Sequence, residues 1–260
     1  MDALFAKNNR ARVFALSALA LWTGGCSTVQ PGLQPPSELP PAPEIASGLR
    51  TDMAPVQATR HMAAAANPLA TQAGQQMLRK GGSAIDAAIA MQAVLALVEP
   101  QSSGIGGGAF IMYWDGKRVQ AFDGRETAPA GATPGMFMGA DGQPIPFAQA
   151  QIGGRSVGVP GVLRALEMAH QQHGKLPWSD LFQPAIKLAS DGFPVSKRLH
   201  TQIAADPFIA GSPEMARYFL TPQGQALPVG TLLKNPELAH TLQTIAERGA
   251  DGFYQGPVAR

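Results

Sequence analysis

Residues 83–100 read SAIDAAIAMQAVLALVEP. From Ala87 to Val98 the stretch is apolar almost all round, with Gln92 its single polar residue. A helix of that composition has no face to offer to water, so it is buried on most sides and lies at the centre of a layered domain. Its start is marked by Ser83 with Asp86 three residues on, a capping-box pattern with Asp in place of Glu. Glu99-Pro100 marks its end.

On the N-terminal side, Asn67-Pro68 pairs an N-cap with proline at the first helical position, and the run Leu69 to Lys80 stops at Gly81-Gly82. Leu69, Ala73 and Met77 share one face of that helix. On the C-terminal side comes QSSGIGGGAF (101–110), then AFIMYW (109–114) and RVQAF (118–122) around Asp115-Gly116-Lys117. Asp-Gly between two β-prone runs predicts a hairpin. Its second strand delivers the chain into DGRETAP (123–129). Further on, GVPGVLRALEMAHQQHG (158–174) reads as a turn, a helix and a glycine stop. WSDLFQPAIKLASDGF (178–193) predicts a helix capped by Ser179, with Pro184 a point where it can split. NPELAHTLQTIAERG (235–249) repeats the Asn-Pro start and the glycine stop, and 196–230 reads as loops and short helices. Helices dominate beside one clear hairpin, which gives an α+β class.

The chain of 260 residues is 45% hydrophobic, enough for a sizeable core. Its formal charge of +2 is unevenly placed. Residues 1–25 hold Lys7, Arg10 and Arg12 against Asp2; the remainder then carries 17 basic and 17 acidic residues (20 less 3, and 18 less 1). A neutral body without a basic run argues against a nucleic-acid partner. The basic start, the apolar run Val13 to Trp22 and the small residues of TGGCST (23–28) read as an export signal, too short to span a bilayer. Cys26, the one cysteine, resembles the lipidated cysteine of a bacterial lipobox, with Thr23 where leucine is usual. The alternative is an ordinary secretory signal with an incidental cysteine. Residues 26–57 are proline-rich and read as an extended tether. The expected location is the periplasm, with membrane contact only through a lipid on Cys26, and the mature chain can form no internal disulfide.

Among the chemistry-bearing patterns, Gly104-Ile105-Gly106-Gly107-Gly108-Ala109 loosely fits a dinucleotide fingerprint. That fingerprint needs a strand before it and a helix after it; here the order is reversed, which excludes it. The glycines then serve either positive φ angles or close packing, and close packing is the simpler reading. The five histidines build no metal site, and no cofactor is implied. His170 and His173 share a helical face and read as a solvated last turn. No G-x-S-x-G elbow occurs, and Ser102 and Ser103 have no base nearby in sequence. Arg125 remains. Its planar fork can bind a ligand carboxylate with two parallel hydrogen bonds, or it can form a structural ion pair with Asp123 or Glu126. The residues alone favour the ion pair.

In combination, GGSAIDAA (81–88), PQSSGIGGGAF (100–110), DGRETAP (123–129), VGVPG (157–161), PAIKLASDGF (184–193) and ADGFYQG (250–256) resemble the γ-glutamyltranspeptidases, also called glutathione hydrolases. The resemblance runs over Thr59 to Arg260, so residues 58–260 are expected to be an incomplete large-subunit domain. It implies part of an N-terminal-nucleophile hydrolase αββα sandwich, helix-rich in this segment. It further implies a precursor that cleaves itself into two subunits and frees a threonine nucleophile. The γ-glutamyl group of glutathione or γ-glutamyl peptides then passes through that threonine to water, an amino acid or a peptide. By resemblance, Arg125 grips the substrate α-carboxylate while Asp123 and Glu126 orient it. The threonine, in its T-T-H-[FY] setting, does not occur here, so no catalytic residue is expected in this chain. The expectation is the N-terminal portion of a longer enzyme, inactive alone, whose partner is the small subunit of the same precursor. Two alternatives stay open. One is a lipid-anchored, non-catalytic binding protein for γ-glutamyl compounds or amino acids. The other is an acylase relative that cleaves a β-lactam side chain.

Overall fold

The apolar stretch forms helix α2 (Ala84–Val98) in the computed structural model, which describes residues 55–260. The signal segment, Cys26 and nearly all of the proline-rich linker lie outside the described residues. Both halves of the capping box are made: Ser83 Oγ accepts from Asp86 N at 3.1 Å, and Asp86 Oδ2 accepts from Ser83 N at 2.7 Å. The same carboxylate, 0% exposed, also accepts from Lys175 N and Leu176 N at 3.0 and 3.1 Å. A buried acid is thereby satisfied, and the start of α2 is tied to a turn far away in sequence.

Helix α1 (Pro68–Arg79) starts where Asn67 Oδ1 accepts from Leu69 N, and it packs along α2. Strands β1 (Ala109–Trp114) and β2 (Val119–Gly124) form the antiparallel hairpin, with Phe110 opposite Asp123 and Ile111 opposite Phe122. After an irregular excursion bearing the four-residue α3 (Phe147–Ala150), α4 (Val162–His173) packs against the inner face of the hairpin. Helix α5 (Trp178–Asp191) lies between α2 and α8 (Pro236–Arg248). The region 196–230 holds α6 (Lys197–Ala205) and α7 (Pro213–Phe219) among turns, as expected. The two-residue strands β3 (Phe193–Pro194) and β4 (Leu232–Leu233) close that region, and the short α9 (Asp251–Tyr254) packs on α8. One core runs through all of this, from Met77 and Ile89 to Phe182, Leu242 and Ile245.

Three local expectations are corrected. Ser179 does not cap α5; it sits within the first turn, and Pro177 precedes the helix. Trp178 is drawn into the helix because its ring packs on His170 and Phe182 and its Nε1 donates to Ile245 O at 2.9 Å. Pro184 does not split α5. Leu181, Phe182, Ala185 and Ala189 are all buried, and that burial outweighs the roughly 3 kcal/mol that an interior proline costs. His170 and His173 are not a solvated turn. His170 Nε2 lies 2.9 Å from Leu176 O, and His173 stacks on Tyr113 with its Nε2 2.8 Å from Gln120 Oε1. Both rings face the hairpin and α5 because α4 is covered on that side.

The two faces of the hairpin differ sharply. Phe122 on the inner face is 4% exposed, whereas Phe110, Met112 and Trp114 on the outer face are 60% exposed or more.

Candidate functional site

Arg125 follows immediately after β2. Strand pairing continues beyond it, as Thr127 and Val159 exchange both backbone hydrogen bonds at 3.2 and 2.8 Å. Glycines at 108, 158 and 161 crowd around this point, Gly158 leaving room for only 2.8 Å between an added Cβ and Glu126 Cβ. A Cβ on Gly161 would collide with the Gly124 carbonyl, and one on Gly108 would lie 2.6 Å from Glu126 Oε2. None of Gly104, Gly106, Gly107 and Gly108 takes a positive φ. Close packing against Glu126 and Gly124 accounts for Gly108, with Gly107 in ordinary contact with Glu126, whereas an added Cβ at Gly104 or Gly106 would meet nothing closer than 3.9 Å. Gly107 O accepts from both Gly161 N and Val162 N at 3.1 Å, which ties the loop to the start of α4.

The two acids act on different parts of Arg125. Asp123 Oδ1 accepts from Arg125 N at 2.9 Å, an Asx-type bond that fixes the backbone as it leaves the strand. Glu126 Oε2 accepts from Arg125 Nη1 at 2.6 Å. The arginine side chain is 69% exposed, the glutamate 28%. Nε and Nη2 have no hydrogen-bond partner among the described residues. So the guanidinium is held at one corner while most of its fork faces outward. An exposed pair of this kind contributes no more than about 1 kcal/mol to stability. Its effect is to restrict where the fork points.

The motif at 250–256 reaches the same place. Tyr254 Oη donates to Pro160 O at 2.6 Å, holding the Pro160-Gly161 turn against Gly124. Arg164 lies over the Tyr254 ring at 4.8 Å and pairs with Glu167 and Asp251. Burial pushes the Tyr254 hydroxyl above its ordinary pKa, which keeps it a donor.

Sequence reasoning missed a buried network behind the glycine loop. Glu99 is 2% exposed. Its carboxylate accepts from Asn67 Nδ2 at 3.0 Å, Gln101 Nε2 at 2.6 Å and Arg198 Nε at 2.9 Å. One signal could have found it. An acid that ends an all-apolar helix is carried inward with it and needs a partner there. Two open hollows, of about 560 and 680 Å³, lie elsewhere, beside α7 and on α8, and neither is lined by Arg125.

Comparison with known proteins agrees with this architecture. The structure of Helicobacter pylori gamma-glutamyltranspeptidase superposes with a TM-score of 0.75 at 36% identity, covering 79% of this chain and 59% of that one. That of the cephalosporin acylase from Bacillus halodurans gives 0.62 at 32% identity, over 74% of this chain and 36% of that one. The fold is α+β, part of an N-terminal-nucleophile hydrolase sandwich and helix-rich in this segment. The family model described as gamma-glutamyltranspeptidase matches residues 70–260, and the chain belongs to that family. A glutathione hydrolase proenzyme of Bacillus subtilis strain 168 is 44% identical over 201 residues, 76% of this chain and 34% of the relative. The chain spans about a third of the length of the curated relatives it matches.

Proposed function

We propose that this chain supplies the carboxylate-binding part of an enzyme that transfers or hydrolyses γ-glutamyl groups, acting on glutathione and γ-glutamyl peptides. Arg125 binds the substrate α-carboxylate through its outward nitrogens. Glu126 orients the fork, and Asp123 fixes the backbone beneath it. The observation that carries this reading is the fork itself: a guanidinium held at one nitrogen, 69% exposed, beside a packed glycine loop. A purely structural arginine would be expected to spend more of its donors on protein. The reactive threonine is supplied by further polypeptide of the same precursor, as a small subunit whose sheet packs on the outward face of the hairpin. The precursor is exported to the periplasm, and Cys26 carries the lipid. Mass measurement of the mature protein purified from membranes tests that last point: an unlipidated N-terminus would overturn it.

The test of the main reading is calorimetric titration of the chain with glutathione and with glutamate, for the wild type and Arg125→Ala. Loss of a charge-assisted bidentate contact weakens binding by roughly tenfold or more. Unchanged affinity in the variant would remove the assignment. The likeness to a cephalosporin acylase favours one second reading, an acylase that cleaves the acyl side chain of a β-lactam compound in place of glutathione. Preference for such an acyl compound over glutathione in the same titration would select it.

A further inference from the structure

The Glu99 network lies away from the proposed carboxylate site but is continuous with the loop that backs it. Every residue of the loop from Glu99 to Gly104 except Pro100 is held by a hydrogen bond. The Glu99 carbonyl accepts from Ser102 N and Ser103 N, both at 3.0 Å. Arg198, reaching from α6 across 99 residues of sequence, donates through Nε to the Glu99 carboxylate and through Nη2 to Ser102 Oγ at 3.1 Å. Gln92, the single polar residue of the apolar run in α2, donates to Ser103 Oγ at 2.9 Å and to Gly104 O at 3.4 Å. Three helices thus strap the loop: α1 through its cap Asn67, α2 through Gln92 and α6 through Arg198. A short distance on, Gly107 O holds the start of α4 and Gly108 abuts Glu126.

A bare structural staple would need one of these bonds. The network instead fixes successive residues of a loop whose far end touches the carboxylate that holds the Arg125 fork. We propose that Glu99 and Arg198 are positioning residues for Arg125: their ion pair sets the register of the loop, which seats Gly108 against Glu126 and so aims the guanidinium. This rests on the carboxylate-binding reading of Arg125 for its functional meaning, but its structural half can be tested without a ligand.

The experiment compares amide signals and hydrogen exchange of the ¹⁵N-labelled chain as wild type, Arg198→Met and Arg198→Lys. Expected in Arg198→Met are shifted signals at Gly106, Gly107, Gly108 and Glu126. Exchange at Gly161 and Val162 should quicken by roughly tenfold, with Leu242 and Ile245 in α8 unchanged. Arg198→Lys keeps a charge beside Glu99 and loses the bond to Ser102, so it shows smaller shifts at the same residues. Unmoved signals at Gly106 to Gly108 and Glu126 would overturn the proposal. So would an equal quickening of every slow amide, the mark of general destabilisation. If Arg198→Met does not fold, the Lys variant decides by the same signals. Glutathione titration separates the two readings. Weakening of roughly tenfold in both Arg125→Ala and Arg198→Met supports both. Weakening in Arg125→Ala alone overturns the positioning role. Unchanged binding in Arg125→Ala overturns the carboxylate role and leaves the exchange result to judge the loop.

Discussion

The inner and outer faces of the hairpin are made of similar residues and meet opposite fates. Phe122, from β2, is buried against the helices; Phe110, one register step along on β1, stands 68% exposed beside Met112 and Trp114. The inner face is where this chain completes its own core. The outer face is as apolar as a core surface but has no covering among the described residues. A contiguous exposed apolar patch of this kind marks a surface built for contact. The difference teaches that stability and the proposed site are divided: the helices and the inner face hold the fold, and Arg125 follows directly after β2 with its side chain 69% exposed.

The sharpest way to break that contrast is to truncate one aromatic on each face. Phe122→Ala removes a buried ring and should cost about 3–5 kcal/mol in urea unfolding. Phe110→Ala removes an exposed one and should stay within about 0.5 kcal/mol. Equal losses would show that the outer face is covered in solution, and light scattering on the wild type would then identify self-association as the cover.

The crowded glycines sharpen the picture on a smaller scale. Gly161→Ala drives a Cβ into the Gly124 carbonyl, a backbone atom that cannot swing aside, and should cost about 1–3 kcal/mol. Gly106→Ala, with nothing within 4 Å of the added atom, should change stability by no more than about 0.5 kcal/mol. A similar cost at both positions would mean that Gly106 is needed for its backbone conformation, since no neighbour would crowd its added Cβ. At the lower end of the Gly161 range is Tyr254→Phe. It deletes the bond to Pro160 O and should cost about 1 kcal/mol, read from the unfolding midpoint. No loss would show that the Pro160-Gly161 turn is held by packing alone.

What could be read before the structure was known follows from the range over which each signal acts. The Asn67 cap, the Ser83–Asp86 box and the Asp115-Gly116 turn are decided within a few residues, and all three stand where local chemistry puts them. Close packing was a legible reason for Gly108 and Gly107 but does not explain Gly104 and Gly106, and the partner, Glu126, was not legible. Pro184 and Ser179 misled because tertiary burial of Phe182 and the Trp178–Ile245 contact override local preference. His170 and His173 misled because an apparent helix end was covered by the hairpin and α5. Arg198 was invisible: its partner Glu99 is 99 residues away, and no periodicity or spacing carries that information.

The stability effect expected at Arg125 is also small, and under the proposed carboxylate-binding role it is the one that bears most on function. The Arg125–Glu126 pair joins neighbours in sequence, with the arginine mostly in water, so solvent screening leaves it worth no more than about 1 kcal/mol. Asp123 holds the backbone N–H, which survives truncation of the side chain. Arg125→Ala should therefore unfold in urea close to the wild-type midpoint. If its loss were as large as that of Phe122→Ala, Arg125 would belong to the frame, and the exposed fork would have no claim on a ligand. If the midpoint holds while glutathione binding falls, the same substitution separates what keeps the chain folded from what the chain recognises. Adding salt to the wild type refines the point: the pair with Glu126 is screened over a Debye length of about 8 Å at physiological ionic strength. The unfolding midpoint should therefore barely move with salt, while affinity for a carboxylate ligand falls.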